Sequence, residues 1–283
     1  MRLLATVFLW LVTTVLLAVA VPSMWAQRNV VDESGYAALA ASAAKDPKLQ
    51  EAMASELTTQ IRAFAGDNGY ELNADLVHDV AAAYTGNDGF PGQFGQANRI
   101  AHRWMFTDSI QRDESSDDRW LIDIAPMLND PSLKATLGNL DLEVPQTLTV
   151  PITVPDTTGL QPGKLRSVAT WGPWVSVGAT ILMGVFALLT LAAARSRGKA
   201  LAALGVSALV VGAAGWAGLE VAARYVNEAL NRTTGHIRQV ADVMVAHAEG
   251  SLHHWLNLTL AAGGVLVVFG VIAAMLGGLR RRE

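Results

Sequence analysis

The stretch "AARSRGKALAALGVSALVVGAAGWAGL", residues 193–219, decides how this chain is read. Arg195 to Lys199 hold three basic side chains, and Ala200 to Leu219 hold no charge of either sign. A bilayer core needs ~20 apolar residues in a helix. Basic residues beside such a run sit on its cytoplasmic side. The stretch therefore predicts a short cytoplasmic loop leading into a transmembrane helix.

Three further uncharged runs have the same character: Leu3 to Ala26, about Pro173 to Ala194, and about Leu256 to Leu279. A buried helix of a soluble protein can mimic one such run, but hardly four. Arg2, Arg195 to Lys199 and Arg280 to Arg282 would share one face, with both termini cytoplasmic. Trp25, Trp171, Trp174, Trp216 and Trp255 fall at the opposite ends, as an aromatic belt should. Lys164 and Arg166 oppose the simple charge rule, and the tryptophans outweigh them. In the first span, Ala18-x-Ala20 offers a signal-peptidase site. Apolar character continues to Ala26, so an uncleaved anchor is expected, with removal of residues 1–20 as the alternative.

The expected architecture is a mainly α membrane protein. It has four transmembrane helices, a mostly helical extracytoplasmic domain with a small β element, and a long helical hairpin projecting outward. Residues 1–27 form the anchor, 28–153 the outer domain and 154–170 a Pro/Gly-rich linker. Residues 171–194 form the second span and 195–199 the cytoplasmic loop. Residues 200–254 hold the third span and hairpin, and 255–283 the fourth span and basic tail.

This topology leaves no cytoplasmic room for a kinase, nucleotide-binding or DNA-binding module. Gln27 to Thr170 carries 11 Lys/Arg against 20 Asp/Glu, a net charge of −9 with His neutral. That sign argues against nucleic acid and against anionic lipid surfaces. The chain has no cysteine, so it has no disulfide, thiol nucleophile or Cys-ligated metal. The interiors of the spans hold no Asp, Glu, Lys, Arg or His. Proton relays and ion pathways normally need such groups. The spans do hold small residues, Gly263, Gly270 and Gly277 at steps of seven and Gly270, Ala274 and Gly278 at steps of four. Ala208 with Gly212 and Ala214 with Gly218 repeat the theme in the third span. Such surfaces permit close helix approach.

In the outer domain, "ESGYAALAASAAK" predicts an Ala-rich helix over 33–45. Asp46-Pro47 starts a second helix with Leu49, Met53, Leu57, Ile61 and Phe64 on one face, ending at Gly66. Asn73 caps a third, with Leu76, Val77, Val80 and Tyr84 inward, ending at Gly86. A fourth runs from about Gly92 to Ile110. "RWLIDI" (119–124) and "QTLTVPITV" (146–154) are read as strands, with a short helix in "NDPSLKATLG" between them. Glu220 to Asn231 and His236 to His254 continue the helical phase of the adjoining spans as the hairpin.

Chemistry concentrates in "QFGQANRIAHRW" (93–104). On a helical wheel Phe94, Ala97, Ala101 and Met105 share an apolar face, with Asn98 at its edge, His102 one step further, and Arg99 and Arg103 opposite. One reading pairs His102 with a carboxylate such as Asp123 for hydrolysis. The favoured reading is a structural brace, because buried amides and imidazoles mostly satisfy neighbouring backbone groups. No Gly-x-Ser-x-Gly or His-Glu-x-x-His motif accompanies it.

The Ala-Asn-Arg-x-Ala-His box (97–102) and "WLIDIAP" (120–126), set between a first span and a C-terminal hydrophobic hairpin with a basic tail, resemble a group of uncharacterised actinobacterial multi-pass envelope membrane proteins. The resemblance implies an envelope location and no particular reaction.

His236, His247, His253 and His254 lie in the hairpin. His236, His247 and His254 form a stripe, but rises of ~16 and ~10 Å stop them sharing one metal ion. Glu249 and His253 could supply half a site. A pH-linked or metal-linked role for His247, Glu249, His253 and His254 is the alternative to a solvated or core-facing stripe. The acidic "RDESSDDR" (112–119) lacks the spacing of a calcium loop. The expected function is a non-enzymatic envelope membrane protein whose outer domain binds a partner membrane protein, lipid or wall component, or a second copy of the chain, with no cofactor. An extracytoplasmic hydrolase using His102 is the alternative, followed by an envelope sensor acting through partners.

Overall fold

The computed structural model describes residues 2–67, 69–107, 119–123, 149–153, 163–231 and 235–279. The elements are α1 (Arg2–Ala26), a π-helical turn (Gln27–Val31), α2 (Glu33–Ala43), α3 (Pro47–Asp67), α4 (Ala74–Thr85), α5 (Phe90–Phe106), β1 (Arg119–Asp123), β2 (Thr149–Thr153), α6 (Arg166–Ala193), α7 (Arg197–Leu230) and α8 (Gly235–Leu279). The chain divides into two compact units. One holds residues 1–28, 170–228 and 249–283, and the other 29–169 and 229–248. The first part of α8, which the sequence places in a hairpin beside the outer domain, groups with residues 29–169.

Among the described residues, four helices are long and apolar enough to cross a membrane, within residues 3–31, 166–193, 197–230 and 235–277. α1 and α7 run parallel: the Trp10 indole N–H donates to the Ala203 carbonyl (2.9 Å), and the Thr14 and Ser207 hydroxyls meet at 2.7 Å. α7 and α8 run antiparallel on a glycine seam. A Cβ on Gly205 would lie 2.7 Å from the Gly263 carbonyl oxygen, and one on Gly198 the same distance from that of Gly270. Gly212 faces Leu256 and Leu260. On α7 the seam recurs every seven residues (198, 205, 212), and on α8 it uses Gly263 and Gly270. A seven-residue repeat keeps two helices in contact along a left-handed pair.

The sequence picked out part of this seam. Gly263, Gly270, Ala208 and Gly212 belong to it, whereas a Cβ on Gly218 or Gly277 meets nothing within 4 Å. A local pattern cannot say which small face the partner helix takes. The hydroxyls buried in this unit are satisfied within their own helices: Thr13, Ser176, Thr190 and Ser207 donate to the carbonyls of Leu9, Pro173, Phe186 and Ala203.

The start of α1, the end of α6 and the start of α7 come together, where Leu3, Thr6, Ala194, Arg195 and Lys199 line one pocket. Gly198 beside Ala274 brings the end of α8 there too. At the other end the Trp25 indole donates to Ser251 (3.1 Å), Arg28 lies over the Trp255 ring, and Trp216 stacks on His253 at 3.8 Å.

In the second unit, the Asp32 carboxylate caps α2 by accepting from the Gly35 N–H, and Asn73 caps α4 by accepting from Asp75 and Leu76. α2 and α5 pack antiparallel. Gly95 makes this possible, since a Cβ there would lie 2.9 Å from the Ala37 carbonyl oxygen. Ala43, Ala44, Leu49 and Phe90 form the core, with Met53, Phe94, Val240, Val243 and Met244 packed against it. Strands β1 and β2 pair antiparallel, with Leu121 opposite Pro151.

Several side-chain faces differ from expectation. α5 buries Gly95, His102 and Phe106 on one side and Phe90, Gln93 and Trp104 on the other, and leaves Ala101 exposed between them, so the flanks of the expected Phe94–Ala101–Met105 face are buried rather than its centre. The close contact of Gly95 with Ala37 of α2 fixes one of the two sides. In α4 the small residues Ala81 and Thr85 are buried, whereas Leu76 and Val80 stand exposed. Ile61 of α3 is exposed as well. α5 ends at Phe106 rather than Ile110. There Gly163 and Leu165 donate to the Trp104 and Met105 carbonyls (both 3.0 Å), so the end of the expected linker closes the helix. The acidic stretch 112–118, the helix expected in 129–138, most of the linker and the basic tail 280–283 lie outside the described residues.

Candidate functional site

The box on α5 resolves into a brace centred on His102. Its ring is 4% exposed, stacked on Phe106 (4.2 Å, 9°) and tilted against Tyr36 at 5.4 Å. Nε2 lies 3.0 Å from the Val30 carbonyl oxygen. A carbonyl only accepts, so Nε2 carries the proton. Nδ1 is enclosed with no hydrogen-bond partner among the described residues. Val30 lies in the π-helical turn just before the chain becomes extended at Asp32, where helix-end carbonyls take partners from other elements.

Asn98 departs from expectation. It is only half-buried, and its amide donates to the Phe94 carbonyl of its own helix (2.9 Å) rather than to another element. Around the helix Asn98 falls between exposed Ala101 and buried His102, at the margin of the side that packs on α2. Arg103 is exposed and pairs with Glu33 of α2 at 3.5 Å, and Arg99 is half-buried. Asp123 ends β1, its backbone opposite Thr149.

Electrostatics around the brace follow from local hydrogen bonds. The Ser34 hydroxyl and the Gly35 N–H hold the Asp32 carboxyl below the ordinary aspartate range, with a smaller contribution from His102. Burial raises the Tyr36 phenol. The Trp104 indole N–H is also enclosed without a partner among the described residues. An imidazole bound to the Val30 carbonyl, a capping carboxylate and a surface ion pair can hold α2, α5 and the π-helical turn together. Among the described residues, no side chain is hydrogen-bonded to His102 Nδ1.

The α8 histidines serve separately. His247 Nδ1 meets the Val243 carbonyl of its own helix (3.1 Å), His253 stacks on Trp216, His254 is exposed and Glu249 half-buried. No group of three His, Cys, Asp or Glu that could hold a metal ion occurs among the described residues. In the first unit a lateral groove of about 510 Å³ runs past Thr14, Ala18, Ala214, Gly218 and Leu256, with no titratable group on its walls.

Comparison with protein-family models, with curated proteins and with solved structures finds no match to this chain.

Sequence reasoning missed Val30, Glu33 and Tyr36 as the other half of the brace. A carbonyl 72 residues from the histidine leaves no mark in a local pattern. Gly95 was the readable signal, since a glycine inside a helix costs ~1 kcal/mol relative to alanine and often marks a close contact.

Proposed function

We propose that this chain is a non-enzymatic, multi-pass integral membrane protein of the cell envelope. Both termini are cytoplasmic, and the unit containing residues 29–107 works outside as a binding platform for another envelope protein. The observation that carries this reading is the contrast within that unit. Its one buried histidine is engaged by the Val30 carbonyl, while Leu76 and Val80 on α4 stand 65% and 64% exposed. An enzyme would invert that arrangement, with its imidazole open to a polar pocket. Exposed large apolar side chains on one helix face mark interaction surfaces.

Orientation rests on the helix directions. The start of α1, the loop at 195–199 and the end of α8 share one end, which basic residues make cytoplasmic. The tryptophans near the other end favour the opposite interface. α7 and α8, of 34 and 45 residues, exceed the ~20 that a bilayer core needs, which favours a hairpin rising outward. Membership in the actinobacterial envelope group fits the same picture.

The test is cross-linking in intact cells with photoreactive residues spread over positions 29–107, followed by purification in mild detergent. Discrete adducts with an envelope protein are the expected result. A hydrolase activity abolished by His102→Gln in a protein that still folds, or the absence of any adduct, would overturn the proposal.

A further inference from the structure

Resting on that binding reading, we infer that the exposed face of α4 docks a basic amphipathic helix of the protein partner. Leu76, Val80 and Tyr84 succeed one another at steps of four and are 65%, 64% and 36% exposed. They face outward because the opposite side, with Ala81 and Thr85, packs inward, His78 reaching Glu51 of α3 at 3.3 Å. Small residues let a helix approach closely, so the bulky stripe is left outside. The stripe is held firmly at one end. The Tyr84 hydroxyl donates to the Gln93 side chain, and its ring meets Phe90 edge-on at 5.7 Å.

Charge selects the occupant. Asp75 and Asp79 are exposed and run along one edge of the stripe, with Glu71 exposed in the turn before the helix. α4 carries no Lys or Arg. An anionic lipid surface would be repelled by this rim. A two-fold contact with a second copy would bring two acidic surfaces together, since residues 27–170 carry net charge −9. The chain's own segment 124–148 is acidic too, with Asp130, Asp141 and Glu143 against Lys134. The complement is a helix with apolar residues at i and i+4 and Lys or Arg along one flank, laid against the stripe.

Two experiments decide it. Full-length protein in zwitterionic nanodiscs is titrated with three synthetic peptides: a helix with that apolar stripe and a Lys/Arg flank, the same helix with a Glu flank, and a scramble of the first. The basic amphipathic peptide should bind saturably, one to one, and more weakly as salt rises. Asp75→Lys with Asp79→Lys should weaken it roughly fivefold to tenfold and turn preference towards the Glu-flanked peptide. Val80→Ser should weaken both. Equal binding of the scramble, or no effect of charge reversal in a variant with an unchanged melt, overturns the inference.

In cells, a photoreactive residue at Val80 should cross-link to a basic amphipathic segment of another protein, located by peptide mapping. An adduct with lipid, with a second copy, with residues 124–148, or only from other positions would overturn the docking inference and leave the platform reading standing. No adduct from any position overturns both.

Discussion

Gly205 and Gly263 face each other across the α7–α8 seam, and each backbone comes close enough to exclude a side chain from the other. A Cβ on Gly205 would lie 2.7 Å from the Gly263 oxygen, and one on Gly263 would lie 2.9 Å from the Gly205 oxygen. The neighbours are backbone atoms, which cannot swing aside. Gly205→Ala and Gly263→Ala should therefore each destabilise the helix pair by ~1–3 kcal/mol. Gly277→Ala, with open space around it, should be near neutral. Thermal melts in detergent check this ordering, and equal melts for all three variants would contradict the seam.

Stability of the second unit should depend on His102 more than on Asn98. His102→Leu leaves the Val30 carbonyl without its donor in a buried position and should cost ~1–3 kcal/mol. Asn98→Ala removes only a half-buried bond within its own helix and should stay within ~0.5 kcal/mol. Denaturant melts of the two variants give the order directly. The reverse order would return Asn98 to the centre of the brace.

Acid should weaken the start of α2 through Asp32. Its folded-state pKa is depressed, so its contribution is fully present above the ordinary aspartate range and is lost as pH falls through the lowered value. At neutral pH Asp32→Ala should cost about 1 kcal/mol as a lost cap. That difference should shrink once the carboxyl is protonated. Melts of both proteins from neutral to acidic pH test this, and a gap that stays constant with pH would refute it.

Topology is open to a clean chemical test because the native chain has no cysteine. A cysteine placed at Asp79 should react with an impermeant maleimide in intact cells, and one at Ser196 should react only after the membrane is opened. Labelling of the Ser196 position in intact cells would invert the orientation.

The four apolar helices were legible in the sequence because hydropathy adds up along one segment and needs no partner. The caps at Asn73 and Asp46 were legible for the same local reason: a side-chain oxygen meets an N–H two or three residues on. Which face each helix buries was decided only in three dimensions. The wheel put Leu76 and Val80 inside, yet α4 packs through Ala81 and Thr85, because the smaller side permits the closer approach. The wheel put Asn98 at the edge of the buried face of α5, yet the side fixed by Gly95 against Ala37 buries His102 against Val30 and leaves Asn98 at its margin. Both outcomes depend on the shape of a neighbour distant in sequence. That is why helix content followed from composition and period, while the brace, the glycine seam and the exposed stripe were settled by packing.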